Sequence, residues 1–297
     1  MTSHDLCLAW NWEYDADLVA LVNAAAQKRA LSLLQITPEN VTATGEALQR
    51  GELSFRLLLD RASDSDARFM PIVEWAQRCG ARNLNPYAQA RLAWDKATMH
   101  LEFISAGLLV PQTVILPPYQ EQPHIPPADL TPLGPSFSIK PACRGGGEGV
   151  INHANSWELV LAARQEYPDE KYLLQAQVMP IQHGPYAAWF RVIYCAGEVY
   201  PCWWDVQTHM YTPVHPVAKA DTAAAELDQL ATRIARICGL ELFSTEVALT
   251  ADRQLIFVDY VNDPLDLRLQ SKAMDGVPDG IVQAIAARLV SLAMHNP

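Results

Sequence analysis

A glycine-rich segment behind a lysine is the clearest sign of chemistry in this sequence of 297 residues. A short apolar segment that carries Lys140 is followed by four of the 14 glycines, namely Gly145, Gly146, Gly147 and Gly149. Glycine lets backbone amides approach a ligand closely, and successive amides in a loop form a concave anion site. A lysine on a strand beside such a loop is therefore suited to bind phosphate. An exposed hairpin turn with a surface lysine is the alternative interpretation.

The loop matches neither of the two common glycine-rich nucleotide motifs. No Gly-Lys-Ser or Gly-Lys-Thr follows it, so it is not a Walker loop. It lies late in the chain and between two predicted strands, which excludes the Rossmann fingerprint. The glycine string is a weak motif on its own, and other segments must support its assignment.

The elements that precede this loop predict a parallel α/β layer. Apolar runs at residues 6–10, 30–36 and 55–59 are typical of strands, and the amphipathic segments between them are typical of helices. One helix is expected to begin with Thr37 as its cap, and another to end at Gly80. Strands and helices that alternate at this spacing imply a parallel sheet covered by helices.

The second part of the chain has a different pattern of predicted strands and helices. Seven prolines between residues 117 and 135 indicate an extended connection and the best position for a domain boundary. Mostly antiparallel strands beside helices then suggest an α+β unit. Strands are predicted at residues 110–116, 137–142, 172–178, 187–194, 199–205, 240–249 and 255–261, and helices at residues 95–106, 156–165, 223–238 and 279–294.

Composition excludes several classes of protein. The net charge is −11, from 22 Lys and Arg against 33 Asp and Glu, so the chain lacks the basic excess of a nucleic-acid binder. No uncharged apolar run approaches the roughly 18–20 residues that span a bilayer. No secretory signal is visible, and the six cysteines form no CxxC pair. We therefore expect a cytoplasmic protein with reduced thiols and with neither nucleic-acid nor membrane partners.

Six segments, taken in order, resemble the ATP-grasp superfamily, and within it the carboxylate–amine ligases similar to ribosomal-protein S6 glutamate ligase and D-alanine–D-alanine ligase. They are AWDKATMHLEFISAGLLVPQT (93–113), SIKPACRGGGEGV (138–150), YLLQAQVMP (172–180), WFRVIYCAGEVY (189–200), FSTEVAL (243–249) and FVDYVNDP (257–264). The resemblance covers most of the chain. It implies an N-terminal parallel α/β domain (1–116), a small central lid domain (117–180) and a C-terminal catalytic domain with an antiparallel sheet (181–297).

The resemblance implies how ATP would be bound. Lys96 and Lys140 match the two family lysines that contact the nucleotide phosphates, and the four glycines at 145–149 match the loop that closes over them. The segment that pairs with adenine matches Gln175, Gln177 and Val178. This chain lacks the acidic residue that the family usually has there, which weakens the match without removing it, because adenine contacts in this segment are largely made by the backbone.

The resemblance also implies Mg²⁺, with two ions expected and Mn²⁺ as an alternative ion. Glu246, Asp259 and Asn262 match the family's metal ligands, and such oxygen ligands suit Mg²⁺. The family pattern Glu-x-Asn puts both side chains on one face of a strand, whereas Asp-Tyr-Val-Asn is one residue longer. We expect a β-bulge to restore the geometry, and a ligand set that includes Asp263 is the alternative.

Two arginines and an aromatic stretch complete the candidate site. Arg191 matches a family arginine near the γ-phosphate, with an internal carboxylate as its alternative partner. Arg268 is a candidate for holding the substrate carboxylate, with a plain surface position as the alternative. Residues 202–215 lie where related ligases line the acceptor site, and they contain two tryptophans, which core packing would explain equally well. His209 or His215 is a candidate base toward an amine.

The implied function is an ATP- and Mg²⁺-dependent ligase. A substrate carboxylate would attack the γ-phosphate to give an acyl phosphate and ADP, and an amine would then displace phosphate to form a C–N amide bond. The carboxylate and amine substrates would be small molecules or peptides, and a homodimer is left open. A non-catalytic ATP-binding module and a small-molecule kinase of the same fold are the alternatives. The sequence does not identify the acid or the amine.

Overall fold

The structure is a computed structural model that describes residues 1–214 and 225–294. The described strands form a four-stranded parallel sheet, two antiparallel sheets of four and five strands, and a two-stranded antiparallel ribbon. The strands are β1 (Thr2–Trp10), β2 (Leu33–Ile36), β3 (Leu53–Arg61), β4 (Arg82–Asn83), β5 (Thr113–Leu116), β6 (Phe137–Pro141), β7 (Ile151–Ala154), β8 (Tyr172–Ala176), β9 (Gln182–His183), β10 (Tyr186–Ala187), β11 (Trp189–Cys195), β12 (Glu198–Trp204), β13 (Tyr211–Pro213), β14 (Leu242–Leu249) and β15 (Leu255–Asn262). The helices are α1 (Ala16–Lys28), α2 (Val41–Gln49), α3 (Met70–Cys79), α4 (Tyr87–Trp94), α5 (Lys96–Ser105), α6 (Trp157–Glu166), α7 (Leu227–Cys238) and α8 (Asp279–Met294).

The N-terminal sheet is parallel, as the alternation of strands and helices predicts. Its strand order is β2-β1-β3-β4. Leu6 and Leu8 of β1 share one buried core with residues of α1 and α8, whereas Cys7 and Ala9 share another with residues of α2 and α3. Alternate side chains of a strand point to opposite faces, so helices cover both faces of this sheet.

The start of α2 differs from the prediction. The helix begins at Val41 with Asn40 as its cap, and Thr37 lies outside it. The Thr37 amide donates to Asn40 Oδ1 at 2.8 Å, and the Val41 amide donates to the Thr37 carbonyl at 2.9 Å. The asparagine side chain thus forms a turn that delays the helix by one turn. At the end of α3, Gly80 has φ +72°, the left-handed conformation that the prediction requires.

The central sheet carries the glycine-rich loop. Its order is β5-β8-β6-β7, and all its pairs are antiparallel. Helix α6 packs on this sheet, where Val160 and Ala163 join Ile139 and Leu174 in one core. The loop connects β6 to β7 and so lies between two strands, as expected, although the sequence analysis gave no range for β7. This sheet with α6 is called the lid layer below.

The C-terminal sheet has the order β13-β12-β11-β14-β15, with antiparallel pairs. Helices α4, α5 and α7 contribute to the core on one face, and α8 and β1 contribute to the core on the other. Sequence analysis missed α4, and the predicted start of α7 at residue 223 lies outside the described residues. The domain limits at residues 116 and 180 stay a prediction, and α4 and α5 pack on the C-terminal sheet.

Two further expectations concern helices and thiols. Within residues 1–214 and 225–294, no helix has the length and apolar character needed to cross a membrane. All six cysteines are free, as expected for reduced thiols. Four are buried, and Cys79 and Cys143 are exposed.

Candidate active site

Lys140 reaches from the lid layer to the C-terminal sheet. Its Nζ donates to Gln175 Oε1 at 2.7 Å and to the Val258 carbonyl of β15 at 3.1 Å. Burial lowers the pKa of Lys140, and the carboxylates of Asp259 and Glu246 act in the opposite direction. The lysine that the sequence analysis singled out therefore lies between the two sheets, within electrostatic reach of two predicted metal ligands.

The glycine-rich loop has the backbone that its composition predicts. Gly146, Gly147 and Gly149 have φ values of +60°, +79° and +69°, which glycine adopts without strain. A Cβ on Gly149 would lie 2.6 Å from a ring carbon of Tyr167, whereas one on Gly145 or Gly147 would meet nothing within 4 Å. Gly149 therefore allows a close approach of the loop to α6, and the preceding glycines are exposed at its tip.

Charged and aromatic side chains hold the base of this loop. Lys96 Nζ donates to the Arg144 carbonyl at 2.6 Å, which joins the start of α5 to the loop. The Arg144 guanidinium lies 4.6 Å from the ring centre of Tyr167 and 3.3 Å from a Glu170 oxygen. The Tyr167 hydroxyl donates to Glu148 Oε1 at 3.1 Å, so the one carboxylate inside the loop is held by the residue that follows α6. Lys96 thus lies beside the start of the glycine-rich loop.

The predicted adenine segment follows β8. Gln175 is only 3% exposed, and its Nε2 donates to the Tyr260 hydroxyl at 3.0 Å while its Oε1 accepts from Lys140. Its side chain therefore orients the lysine. Gln177 Nε2 lies 2.8 Å from His153 Nδ1. No hydrogen bond within the described chain engages the backbone of Val178, and adenine binding by this segment stays a prediction.

The predicted metal ligands share one face because β15 contains the expected bulge. Asn262 pairs with Ser244 and Asp259 pairs with Glu246, so three steps along β15 match two along β14. Directly paired residues in an antiparallel sheet project from the same face. The additional residue of Asp-Tyr-Val-Asn is absorbed by this irregularity, and the carboxylates of Asp259 and Glu246 come from opposed positions.

Asp263, the alternative ligand, is engaged elsewhere. Its Oδ1 accepts from Asn85 Nδ2 at 2.6 Å and its Oδ2 accepts from Trp94 Nε1 at 3.2 Å. Burial raises the pKa of Asp263 to about 6. Both oxygens are thus bound to residues of the N-terminal third of the chain, which favours the bulge. Sequence reasoning missed Asn85 and Trp94, since a separation of 178 and 169 residues leaves no local signal.

Arg191 lies beside the metal face on β11. Its Nη1 donates to Glu246 Oε1 at 2.9 Å and its Nε donates to Ser244 Oγ at 3.2 Å. Burial raises the pKa of Glu246, and Asp259 adds to the rise, while Arg191 opposes it. The guanidinium also lies 4.8 Å from the ring centre of Trp204. Arg191 is therefore a fixed cation directed at the carboxylates, and its alternative internal partner, a carboxylate, is itself a predicted ligand.

Arg268 lies in an ion-pair group of its own. Its Nε donates to Asp266 Oδ2 at 2.9 Å and its Nη2 donates to Asp275 Oδ2 at 2.8 Å. The guanidinium lies 6.0 Å and 5.8 Å from the ring centres of Trp12 and Tyr14, which follow β1. Neither hydrogen bond uses Nη1 of Arg268. A role of Arg268 toward a substrate carboxylate stays a prediction.

The two tryptophans of the aromatic stretch project to opposite faces of the sheet. Trp203 stacks with Tyr186 at 5.2 Å between ring centres and belongs to the core that contains α7. Trp204 stacks with His209 at 5.4 Å and contacts Tyr211 at 4.7 Å, on the face of Arg191. Both tryptophans are buried, Trp203 in the core that contains α7 and Trp204 in the core that contains α8, and the exposed His209 stacks on Trp204 beside Arg191. His215 lies outside the described residues.

The donor set suits Mg²⁺ that is shared with phosphate oxygens. In the part of the chain that the structure describes, no three His, Cys, Asp or Glu side chains are arranged to hold a metal ion by themselves. Mg²⁺ usually takes one or two carboxylates and completes its six ligands with water and phosphate oxygens. Glu246 and Asp259, from opposed strand positions and with Asn262 on the same face, fit that mode.

Comparison with known proteins identifies the fold. No family model and no curated protein matches the sequence of this chain. Among solved structures, a RimK-domain ATP-grasp protein from Sphaerobacter thermophilus has a TM-score of 0.65 at 18% identity, over 96% of this chain and 98% of that chain. D-alanine–D-alanine ligase from Bacillus anthracis, complexed with ATP, has a TM-score of 0.66 at 10% identity, over 100% and 97% of the two chains.

A third similar structure is the macrocyclase MdnC from Microcystis aeruginosa, bound with the precursor peptide MdnA. Its TM-score is 0.65 at 15% identity, and the match covers 98% of this chain and 100% of that chain. The likeness extends over nearly all of each molecule, and the sequence resemblance stated above agrees with it. The chain described here therefore has the ATP-grasp fold.

Proposed function

We propose that this protein is an ATP- and Mg²⁺-dependent ligase that joins a carboxylate to an amine through an acyl phosphate. The observation that carries the proposal is the cleft between the lid layer and the C-terminal sheet. There Lys140, Arg191 and the opposed carboxylates of Glu246 and Asp259 come together in an ATP-grasp fold. Phosphoryl transfer depends mostly on positioned charges, and this cleft supplies both signs in fixed positions.

The nucleotide would lie between the two sheets. Lys96 and Lys140 would hold the α- and β-phosphates, and the glycines 145, 146, 147 and 149 would close over them with backbone amides. The backbone at Gln177 and Val178 would meet the adenine. Gln175 supports this arrangement indirectly, because its buried side chain fixes the Lys140 ammonium group.

The transferring phosphate would lie at the metal face. Glu246, Asp259 and Asn262 would hold one or two Mg²⁺ ions, with Mn²⁺ as a substitute, and such ions neutralise charge on phosphate oxygens. Arg191, already directed toward this face by Glu246, would bind the γ-phosphoryl group while it moves to the substrate carboxylate. Arg268 would orient that carboxylate through Nη1, the nitrogen that neither aspartate engages.

The acceptor amine would approach along the exposed His209, which stacks on the buried Trp204 beside the site. His209 would take the proton that the attacking amine releases. MdnC in complex with a precursor peptide and D-alanine–D-alanine ligase in complex with ATP support both a peptide and a small molecule as the substrate class. A cytoplasmic location and a homodimer stay predictions.

An ADP-release assay with pooled carboxylates and amines tests the proposal. Turnover is expected only when ATP, Mg²⁺, an acid and an amine are all present. Lys140→Ala and Asp259→Ala should each lower it by at least about a hundredfold, the usual cost of a removed electrostatic contact to the reacting groups. Arg50→Ala, at an exposed surface pair, is the matched control and should leave the rate unchanged. Turnover that survives both active-site substitutions would contradict the assignment.

The same assay separates the two alternatives. A small-molecule kinase would release ADP without an amine and leave a stable phosphorylated product. A non-catalytic module would bind Mg²⁺-ATP and release no ADP with any acceptor. The longer Asp-x-x-Asn spacing and the absent acidic residue of the adenine segment both favour the non-catalytic module. The bulge in β15 weakens the first of these arguments because it brings Asp259 and Asn262 to one face.

A further inference from the structure

The position of the bulge in β15 depends on contacts from outside the sheet. Between the pairs Ser244–Asn262 and Glu246–Asp259, three steps of one strand match two of the other. A bulge leaves a residue outside the regular ladder, so the hydrogen bonds of the two strands do not by themselves fix where it forms. A shift of one residue would turn Asp259 or Asn262 to the opposite face.

Asn85 ties both strands together at the end where the bulge lies. Its Oδ1 accepts from the backbone amides of Glu241 and Leu242 at 2.9 Å and 3.0 Å. Its Nδ2 donates to the Leu242 carbonyl and to Asp263 Oδ1, both at 2.6 Å. A side-chain amide has two donors and two acceptor sites, and all four are used. Leu242 opens β14 and Asp263 directly follows β15, so one buried side chain spans the two strands.

Two other residues from the first part of the chain hold the segment that follows. Trp94 Nε1 donates to the second oxygen of Asp263 at 3.2 Å. Arg61 Nη2 donates to the Leu265 carbonyl at 2.9 Å, and the same guanidinium forms a buried pair with Asp15 at 2.6 Å. The segment that follows β15 is thus fixed at Asp263 and at Leu265.

We propose that Asn85, assisted by Trp94, is a positioning residue for the magnesium site, because it fixes the register of β14 and β15 in which Glu246, Asp259 and Asn262 share one face. The inference rests on the proposed function, since it concerns the same metal ligands. Asn85 itself lies beyond the ligand face and touches no reacting group. Its effect passes through Leu242 and Asp263 to the bulge.

Loss of the Asn85 hydrogen bonds should lower the affinity for Mg²⁺ more than the affinity for the nucleotide. The lysines and the glycine loop belong to α5 and the lid layer, whose hydrogen bonds do not include Asn85. Some residues orient metal ligands without touching the metal. Their removal typically lowers metal affinity 10–100-fold. A residue that supports the fold in general would instead weaken both kinds of binding together.

Calorimetry of ADP binding, with and without Mg²⁺, tests the inference without turnover. For Asn85→Ala we expect the tightening of ADP binding by Mg²⁺ to fall at least about tenfold, and the metal-free affinity to change less than about twofold. Asn40→Ala is the matched control. It removes an asparagine that also binds backbone groups, Gln35 O and Thr37 N, in the turn before α2. It should retain the full effect of Mg²⁺.

Trp94→Phe is the second variant, for the case that Asn85→Ala does not fold. It keeps the ring and removes only the donor to Asp263, and a smaller loss of Mg²⁺ tightening is expected. Unchanged tightening in the variants, or an equal loss of metal-free affinity, would overturn the positioning role. If Mg²⁺ has no effect on ADP binding even in the wild-type protein, the proposed metal site itself is contradicted. This result distinguishes a failure of the proposed function from a failure of the positioning role alone.

Discussion

The lid layer and the C-terminal sheet each hold an arginine beside a glutamate, and the two pairs differ in burial. Arg191 and Glu246 on the C-terminal sheet are 2.9 Å apart, with side chains 16% and 18% exposed. Arg144 and Glu148 in the glycine loop are 3.9 Å apart, with side chains 35% and 55% exposed. The first pair lies within a network of strand residues, and the second lies on a loop at the surface.

This difference separates a buried, prearranged part of the site from an exposed part. Charges that stabilise a transition state act best when they are fixed before the reaction, as on the face of Glu246. A segment that closes over a ligand comes from the less stable regions of a protein, and the exposed glycines meet that condition. The comparison predicts that equal substitutions in the two regions have unequal effects.

Arg191→Ala should have the largest effect on stability. It leaves the mostly buried Glu246 without the cation that opposes the rise of its pKa, and loss of one partner of a buried pair costs about 3 kcal/mol. Urea unfolding followed by circular dichroism measures the difference in free energy.

Arg144→Ala is the matched variant in the lid layer. Its pair with Glu148 is solvent-screened, and Glu170, its less exposed partner, keeps the hydrogen bond from the Cys143 amide, so removal of Arg144 should cost only about 1 kcal/mol. Equal losses in the two variants would mean that burial does not distinguish the two regions.

Gly149→Ala should have an intermediate effect that is confined to the lid layer. An alanine at φ +69° costs about 1–2 kcal/mol, and its Cβ would also meet the ring of Tyr167. Hydrogen exchange of the loop and ADP affinity report the change, and both should worsen more than in Gly147→Ala, which has a similar φ and open space around it. If Tyr167→Ala gives no relief to the Gly149→Ala protein, the contact with the ring is not the cause.

Cys143 offers the mildest probe of the lid layer. Although Cys143 is exposed, partial desolvation by its surroundings raises the pKa of its thiol to about 11, and the carboxylates of Glu170 and Asp95 add to the rise. Since the thiolate is the reactive form, alkylation by iodoacetamide should be slow at pH 7 and accelerate about tenfold per pH unit up to pH 10. Mass spectrometry of each site follows the rate, with the exposed Cys79 as internal reference.

Glu170→Gln should speed the reaction of Cys143 and leave that of Cys79 unchanged, because it removes a negative charge near only one thiol. Addition of ADP should slow the labelling of Cys143 if the loop closes over the phosphates. A Cys143 that reacts at its full rate already at pH 7 would contradict the described environment of this loop.

Local features of the site could be predicted from the sequence because their causes are local. The run of glycines permits positive φ values, which Gly146, Gly147 and Gly149 adopt, and Lys140 beside it predicted a phosphate site. Arg191 was expected to face an anion, and it pairs with Glu246. The prediction of Thr37 as a cap was wrong because the neighbouring Asn40 side chain competes for the same turn.

Other features depend on residues that are distant in the sequence. Nothing near Asn85 indicates that its amide group would bind Leu242 and Asp263, and α4, which follows it, was missed as well. Two adjacent tryptophans, Trp203 and Trp204, entered different cores on opposite faces of the sheet, and only Trp204 lies beside Arg191. What packs against each face decides which side chain lies beside the site, and the sequence fits either assignment.

By itself the sequence determined most of the longer strands and helices, the glycine loop and the types of side chain available for phosphate and metal, because these follow from local preference and residue chemistry. Only the tertiary structure decided that Asp259 and Asn262 share a face, since the bulge depends on the register of two strands held by Asn85. Register is a property of paired segments, and no single segment contains it.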